Sequence, residues 1–195
     1  MSARDAILTT VRSNLPRPAV PLPEIPHFAR GSAPLLATFR SQLELMGGRS
    51  FEVADATAVR TKVAELFPAA RVVCSAVPEV PGTRRIEDVR DPHDLADVDV
   101  GVIRSPLGVA EAGAIWVTQT ELVMNALGVL SQHLAVLLDP TAIVNTMHDA
   151  YNRLDLAASP YGIFMAGPSA TGDIEGVIVH GAQGARSLTV LLSAH

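Results

Sequence analysis

The feature that most constrains the fold is an alternation of helical and extended patterns that begins at Pro34 and continues towards the C-terminus. The first pattern has apolar residues at helical spacing from Leu35 to Met46, and Gly47-Gly48 ends it. A short strand at Phe51–Val53, a helix at Ala56–Phe67 and a buried strand at Arg71–Ser75 are predicted next. This alternation predicts an α/β domain with a mainly parallel sheet and flanking helices.

The rest of the chain continues the pattern. Five further strands are predicted, at Val98–Ile103, Ala114–Val117, His133–Leu138, Gly162–Met165 and Ser187–Leu192. Helices are predicted at Thr141–Leu154 and near Ile174–His180. Because Ile174–Val179 is rich in β-branched residues, a strand is the alternative there.

The N-terminal segment differs in composition. Met1–Leu15 predicts a short amphipathic helix, and six prolines then fall within the nineteen residues 16–34. Proline at this density favours extended chain, either a linker or an arm that wraps a second subunit of a homo-oligomer. We therefore divide the chain into an N-terminal helix and proline-rich arm, residues 1–33, and an α/β domain, residues 34–195.

Charge and hydropathy exclude some classes of partner. A formal net charge of −5 with no basic stripe argues against a nucleic-acid partner. The uncharged segment Leu122–Leu138 is short for a membrane span and is interrupted by polar residues, so buried core is the better interpretation. Met1–Leu15 lacks the apolar core of a signal peptide, and a cytoplasmic location is expected.

Cys74 is the only cysteine, which excludes both a disulfide within the chain and a four-thiolate iron–sulfur cluster held by this chain alone. The six histidines show no close i,i+3 or i,i+4 pairing, and no local pattern calls for a metal.

Glu111 is the first candidate for chemistry. It lies in Gly108-Val-Ala-Glu-Ala-Gly113, among small residues that would let a substrate approach its carboxylate. A carboxylate in that position can act as a base or a nucleophile. The alternative is a solvated turn glutamate without a catalytic role.

A second candidate is the segment Gly167-Pro-Ser-Ala-Thr-Gly-Asp-Ile-Glu175, which is interpreted as the turn from a strand into a helix beyond the carboxyl edge of the sheet. Gly167 permits a close backbone approach, and Ser169 or Thr171 can cap the helix. Free amides at this helix start would bind an anion. Alternatively, Asp173 and Glu175 simply complement the helix dipole.

The third candidate is Gly181-Ala-Gln-Gly-Ala-Arg186, directly before the last predicted strand. Gly184 belongs to its turn, and Arg186 could hold a carboxylate through two parallel hydrogen bonds. A solvated loop arginine is the alternative.

Together, Gly167–Glu175, Ala110-Glu-Ala-Gly113 and Gly181-Ala-Gln-Gly184 resemble the lactate utilization protein C family, whose members carry the LUD domain. The resemblance covers the chain from about Pro34 to the C-terminus. Two stretches depart from the family pattern. Ala112 stands where threonine is usual, and Gly181-Ala-Gln-Gly-Ala185 stands where Gly-x-His-Gly-Pro is usual, so that Gln183 replaces the histidine.

The resemblance implies a fold like that of ribose-5-phosphate isomerases and CoA-transferases. It also implies a role beside iron–sulfur proteins in oxidising L-lactate to pyruvate. The chain would hold no cofactor itself, the clusters being in partner chains, and would bind a small anionic ligand near Glu111 and residues 169–175. The alternatives are a stand-alone CoA-transferase-like or sugar-phosphate isomerase-like enzyme using Glu111, or a structural subunit without an active site.

Overall fold

The computed structural model describes residues 2–15, 21, 23–24, 26, 34–174 and 176–194. The chain divides into two compact units, Met1–Ser32 and Ala33–His195. In the first unit, helix α1 (Ala3–Ser13) begins with a capping box between Ser2 and Asp5, and none of its residues is buried. Most of the proline-rich arm falls outside the described residues.

The second unit contains both helices and strands. Its helices are α2 (Leu35–Leu45), α3 (Ala56–Leu66), α4 (Gln119–Leu122), α5 (Leu127–Leu130) and α6 (Met147–Arg153). Its strands are β1 (Arg49–Glu52), β2 (Val73–Ser75), β3 (Arg84–Arg85), β4 (Val100–Ser105), β5 (Leu107–Val109), β6 (Ala114–Thr118), β7 (His133–Leu138), β8 (Ile143–Val144), β9 (Gly162–Met165), β10 (Ala170–Ile174), β11 (Val177–His180) and β12 (Ser187–Leu192).

A six-stranded parallel sheet in the order β1-β12-β7-β4-β2-β3 forms the centre of this unit. The three middle strands β12, β7 and β4 are nearly continuous apolar runs, as expected for strands covered on both faces. The predicted α/β class with a mainly parallel sheet is confirmed.

Each face of the parallel sheet has its own cover. On one face, Val59 and Val63 of α3 pack against sheet residues such as Val102 and Leu191. On the other face, Phe39 and Leu43 of α2 are completely buried in a larger cluster with Ile103 and Val136 of the sheet. Helix α3 thus covers one face of the parallel sheet, and α2 covers the other.

A second sheet of four strands, in the order β8-β5-β6-β9, was not predicted. The pairs β5–β6 and β6–β9 are antiparallel, whereas β5 and β8 are parallel. The predicted helix Thr141–Leu154 is correct only in its second half, since Ile143–Val144 pairs with β5 and the helix begins at Met147.

The predicted helix at Ile174–His180 is wrong. Strands β10 and β11 form an antiparallel hairpin there, and Gly176 adopts a left-handed φ of 70° at the turn. The run Val177–Val179 is entirely β-branched, which favours the extended conformation.

In the uncharged segment Leu122–Leu138, Leu122, Leu127 and Leu134 are buried, in agreement with its interpretation as protein core. Among the described residues, no helix combines the length and the apolar character needed to cross a membrane.

Candidate functional site

Glu111 lies in a 3-10 turn, Ala110–Ala112, between β5 and β6. Its backbone amide donates to the carbonyl of Asn145 at 3.0 Å, and its Oε1 accepts from the amide of Met147 at 2.5 Å. Met147 is the first residue of α6, where backbone amides lack partners within the helix. The half-buried carboxylate therefore joins the β5–β6 turn to the start of α6.

The glycine after this turn has a structural task. Gly113 adopts a left-handed φ of 57°, and a Cβ added there would lie 2.1 Å from the backbone nitrogen of Leu43 in α2. Only a residue without a side chain lets α2 approach the turn this closely. The Ala-Glu-Ala-Gly stretch thus holds α2 and α6 as well as presenting Glu111.

The segment 167–175 is not the start of a helix, contrary to the sequence interpretation. Gly167 is buried with a left-handed φ of 72°, and a Cβ on it would lie 2.0 Å from the carbonyl oxygen of Met46. The chain then enters β10, so Ser169 and Thr171 do not cap a helix. Asp173 is a β10 residue as well, and Glu175 lies outside the described residues.

The amide of Ser169, which the predicted helix start would leave free for an anion, therefore already has a partner. The amide of Ser169 donates to the carbonyl of Ala185 at 2.9 Å, and the carbonyl of Ser169 accepts from Gly181 at 2.9 Å. Thr171 is paired with Val179 in the hairpin. The backbone of Ser169 is thus bonded to neighbouring chain rather than held open for a ligand.

The position of the segment also differs from the prediction. Gly167 contacts Met46, just before β1, and Ser169 bonds to Ala185, just before β12. The segment consequently lies at the amino edge of the parallel sheet, opposite to the predicted carboxyl edge. The reason is that β9, which leads into it, belongs to the four-stranded sheet.

Three of the sequence-predicted pieces nevertheless meet there. A Cβ on Gly184 would lie 3.0 Å from the Cβ of Ser169, and the side chain of Arg186 lies beside Gly181. Arg186 is exposed, and its amide donates to the carbonyl of Gln132 at 2.8 Å. One surface is thus shared by the Gly167–Ser169 turn, Gly184 and Arg186. Glu111 is not part of it, since its carboxylate is hydrogen-bonded to the start of α6.

A groove of about 270 Å³ at the same edge was missed by sequence reasoning. We call it the amino-edge groove, and its lining includes Arg49, Phe67, Asp99 and His133. Arg49 and His133 are the first residues of β1 and β7, and Asp99 directly precedes β4. Because the strands are parallel, their first residues lie at one edge of the sheet. Polar residues at the starts of the predicted strands are therefore the sequence signal that indicates this groove.

His133 is the titratable group at the centre of this groove. Its Nδ1 lies 2.8 Å from the hydroxyl oxygen of Ser187, its strand-to-strand neighbour, and the Phe67 ring lies 4.9 Å away between centroids. Burial lowers the pKa of His133, and the positive charges of Arg186 and Arg49 lower it further against an opposing contribution from Asp99. The imidazole is accordingly neutral at pH 7.

Asp99 is already engaged by the backbone. Its Oδ2 accepts from the amides of Arg71 at 2.7 Å and Val72 at 2.9 Å. These two hydrogen bonds hold the pKa of the Asp99 carboxyl below its ordinary value. The carboxylate thus stays ionised and serves to fix the chain before β2.

A larger cavity of about 500 Å³ lies beside the edge strand β3. Its main cation, Arg84, is already paired with Asp97 through two hydrogen bonds of 2.5 and 2.9 Å. That pairing raises the pKa of Arg84 and lowers that of Asp97. The charges in this cavity satisfy one another, so the amino-edge groove is the stronger candidate for binding an anion.

Comparison with known proteins decides the family. A family profile described as the LUD domain matches residues 82–193, which is more than half of the chain. The chain belongs to the LUD-domain family. The matched part of the LUD domain contains Glu111, His133 and the whole segment 167–186.

Among solved structures, this LUD-domain chain resembles a DUF162 family protein from Deinococcus radiodurans with a TM-score of 0.63. The two chains are 17% identical, and the likeness covers 82% of this chain and 96% of the other. At this identity the likeness shows the α/β fold alone. No curated protein sequence gives a significant match.

Proposed function

We propose that this LUD-domain chain supports the oxidation of L-lactate to pyruvate in the cytoplasm, together with iron–sulfur partner proteins, and that it binds a small anionic ligand. The chain has one cysteine, so the clusters of such a pathway would be held by the partners. Membership of the LUD-domain family supports a role connected with lactate utilization.

One observation carries the anion-binding part of this proposal. The Gly167–Ser169 turn and Gly184 come together beside Arg186, although they are separated in the sequence by the β10–β11 hairpin. Arg186 is exposed at this surface, and its planar guanidinium can hold a carboxylate through two hydrogen bonds. Ser169 is half-buried next to it and supplies a hydroxyl.

Glu111 is the acid–base or orienting group in this proposal, as its residue type allows. One of its oxygens accepts from the α6 amide, and this bond fixes the direction of the carboxylate. A fixed carboxylate is pre-organised, which is what either role needs.

Complementation of cells that need this protein for growth on L-lactate tests the proposal. Arg186→Gln removes the charge at the proposed surface, and Arg60→Gln removes another exposed charge, on α3. We expect the first variant to slow growth on L-lactate at normal protein abundance, and the second to grow like the wild type. Wild-type growth of cells that lack the chain altogether would contradict the lactate role.

Partner binding has a separate test. Affinity purification of the tagged chain from lactate-grown cells should recover proteins that contain iron and acid-labile sulfide. Recovery of the chain without them, in a preparation that keeps lactate-dependent activity, would contradict the proposed partners. Turnover of a CoA thioester or a sugar phosphate by the isolated chain would favour an independent enzyme instead.

A further inference from the structure

We propose that the amino-edge groove binds a small organic carboxylate, whose charged end lies between Arg49 and Arg186 and whose apolar part lies against Phe67. This inference rests on the proposed function for the class of the ligand and for Arg186, and it extends that function to Arg49, Phe67 and His133, which no sequence motif singled out. Four structural observations support it.

The first is the register of the strands. Arg49 of β1 is opposite Thr189 of β12, and Ser187 of β12 is opposite His133 of β7. Side chains two residues apart in a strand share a face, so Arg49, Ser187 and His133 all point to the side of the sheet that α3 covers. The last turn of α3 and the residues after it close the groove on that side.

The second is an excess of positive charge. Among the described residues, neither Arg49 nor Arg186 has a carboxylate within the 4.0 Å of an ion pair, and both are exposed. Asp99 is the acidic group in the lining, and it already accepts two backbone amides. Arg49 lines the groove, whereas Arg186 lies outside the lining at the same edge of the sheet, where its charge acts on His133. Because Asp99 is already bonded, these two cations leave a positive charge for an anion to balance.

The third is the state of His133. The neutral ring is held by Phe67 on one side and by the Ser187 hydroxyl at Nδ1. When that hydroxyl donates to Nδ1, the proton of the ring is on Nε2, which then acts as a donor. The Nε2–H group of the neutral ring could then donate to a hydroxyl or keto oxygen next to the carboxylate of the ligand, without adding a positive charge.

The fourth is an unsatisfied hydroxyl. Thr189 is fully buried on the same face, and its Oγ1 has no hydrogen-bond partner among the described residues. Buried hydroxyls without a partner are uncommon in native proteins and call for an explanation. Thr189 lies directly opposite Arg49 in the ladder, next to the place where the carboxylate would bind.

Calorimetric titration of the purified full-length chain tests this inference, with sodium pyruvate, sodium L-lactate and inorganic phosphate as separate probes at constant ionic strength. We expect saturable binding of pyruvate or L-lactate, weakened at least about 10-fold by Arg49→Gln and by Arg186→Gln, since each removes a charge-assisted hydrogen bond. Arg60→Gln, on the exposed side of α3, is the matched control and should bind like the wild type. Thermal unfolding of each variant shows whether it is folded.

The NMR-detected pKa of the His133 imidazole gives a second readout. A carboxylate between Arg49 and Arg186 offsets their charges, so the pKa of His133 should rise when pyruvate or L-lactate saturates the protein. A change in the His133 pKa that persists in Arg49→Gln would contradict the assignment.

The possible failures can be told apart. Absence of saturable binding, binding of phosphate alone, or binding that both arginine variants leave unchanged would overturn the inference. If binding fails while cells still need the chain for growth on L-lactate, the groove is wrong and the lactate role stands. If binding follows the arginines while growth does not need the chain, the groove stands and the lactate role is wrong.

Discussion

Replacing Gly113 by alanine should strongly destabilise the α/β unit. The residue has a left-handed φ of 57°, and an added Cβ would lie 2.1 Å from the nitrogen of Leu43 and 2.5 Å from the carbonyl carbon of Gln42. The left-handed conformation costs an alanine about 1–2 kcal/mol. Forcing an extra carbon into packed structure costs about 1–3 kcal/mol more.

A side-chain rotation cannot relieve this clash, because both contacted atoms are backbone atoms of α2. Moving α2 would disturb Phe39 and Leu43, which are completely buried. We therefore expect Gly113→Ala to lower the free energy of unfolding by about 2–5 kcal/mol. At a typical urea dependence of about 2 kcal/mol per molar, the midpoint should fall by about 1–2.5 M.

Urea unfolding followed by circular dichroism measures this loss, and Gly172→Ala is the matched control. Gly172 is an exposed strand residue with no atom within 4 Å of an added Cβ. Its substitution should change the free energy of unfolding by less than about 0.5 kcal/mol. A loss below about 1 kcal/mol for Gly113→Ala would refute the argument that this glycine is needed for the approach of α2.

Three further substitutions test the local geometry. Gly167→Ala should lower the free energy of unfolding in urea by at least about 2 kcal/mol more than Gly176→Ala does, because both residues have a left-handed φ but only Gly167 contacts the carbonyl of Met46. Equal losses of stability would contradict the close contact. Glu111→Ala leaves the amide of Met147 without its acceptor and should lower the free energy of unfolding by about 1–3 kcal/mol. Glu111→Gln keeps an acceptor oxygen and should lower it by less than about 1 kcal/mol. Equal losses of the two variants in chemical denaturation would show that this hydrogen bond is unimportant. Because the pKa of His133 is lowered in the folded protein, the unfolded chain is protonated first, and the free energy of unfolding falls as the pH drops from about 6.5 through the folded pKa. His133→Gln should reduce that fall in unfolding curves recorded at successive pH values. An unchanged pH dependence of stability would contradict the lowered pKa.

The parts of the fold that could be predicted from sequence are those that local pattern determines. Strands β4, β7 and β12 are almost uninterrupted apolar runs. A short apolar run bounded by polar residues is typical of a buried strand in a parallel sheet. Helices α2 and α3 show apolar residues at helical spacing, and Asp55 caps α3 as its residue type allows. These elements together determine the α/β class.

The errors in the fold arose where tertiary pairing overrides local pattern. Ile143 and Val144 were placed in a helix, but they pair with β5 and complete the four-stranded sheet. The segment after Gly176 is a strand and not the predicted helix, in agreement with the alternative that its β-branched residues favour. Short strands are difficult to predict because their stability comes from partners far away in the sequence.

For the candidate site, sequence identified residues and misjudged their setting. Gly167 was correctly interpreted as a point of close backbone approach, but the contact is with Met46, about 120 residues earlier, and no local signal shows that. Arg49 and His133 were missed because only the order of the strands brings them together. Single-sequence motifs carry no information about that order.

The most direct test of the central claim is L-lactate-dependent reduction of an electron-accepting dye. The assay compares the complex purified through the tagged chain, the isolated chain, and extracts of cells that lack the chain. The account predicts activity in the complex, none in the isolated chain, and a loss in the extracts that the wild-type gene restores. Oxidation of L-lactate by the isolated chain, or full activity in extracts without it, would contradict a supporting role beside iron–sulfur partners.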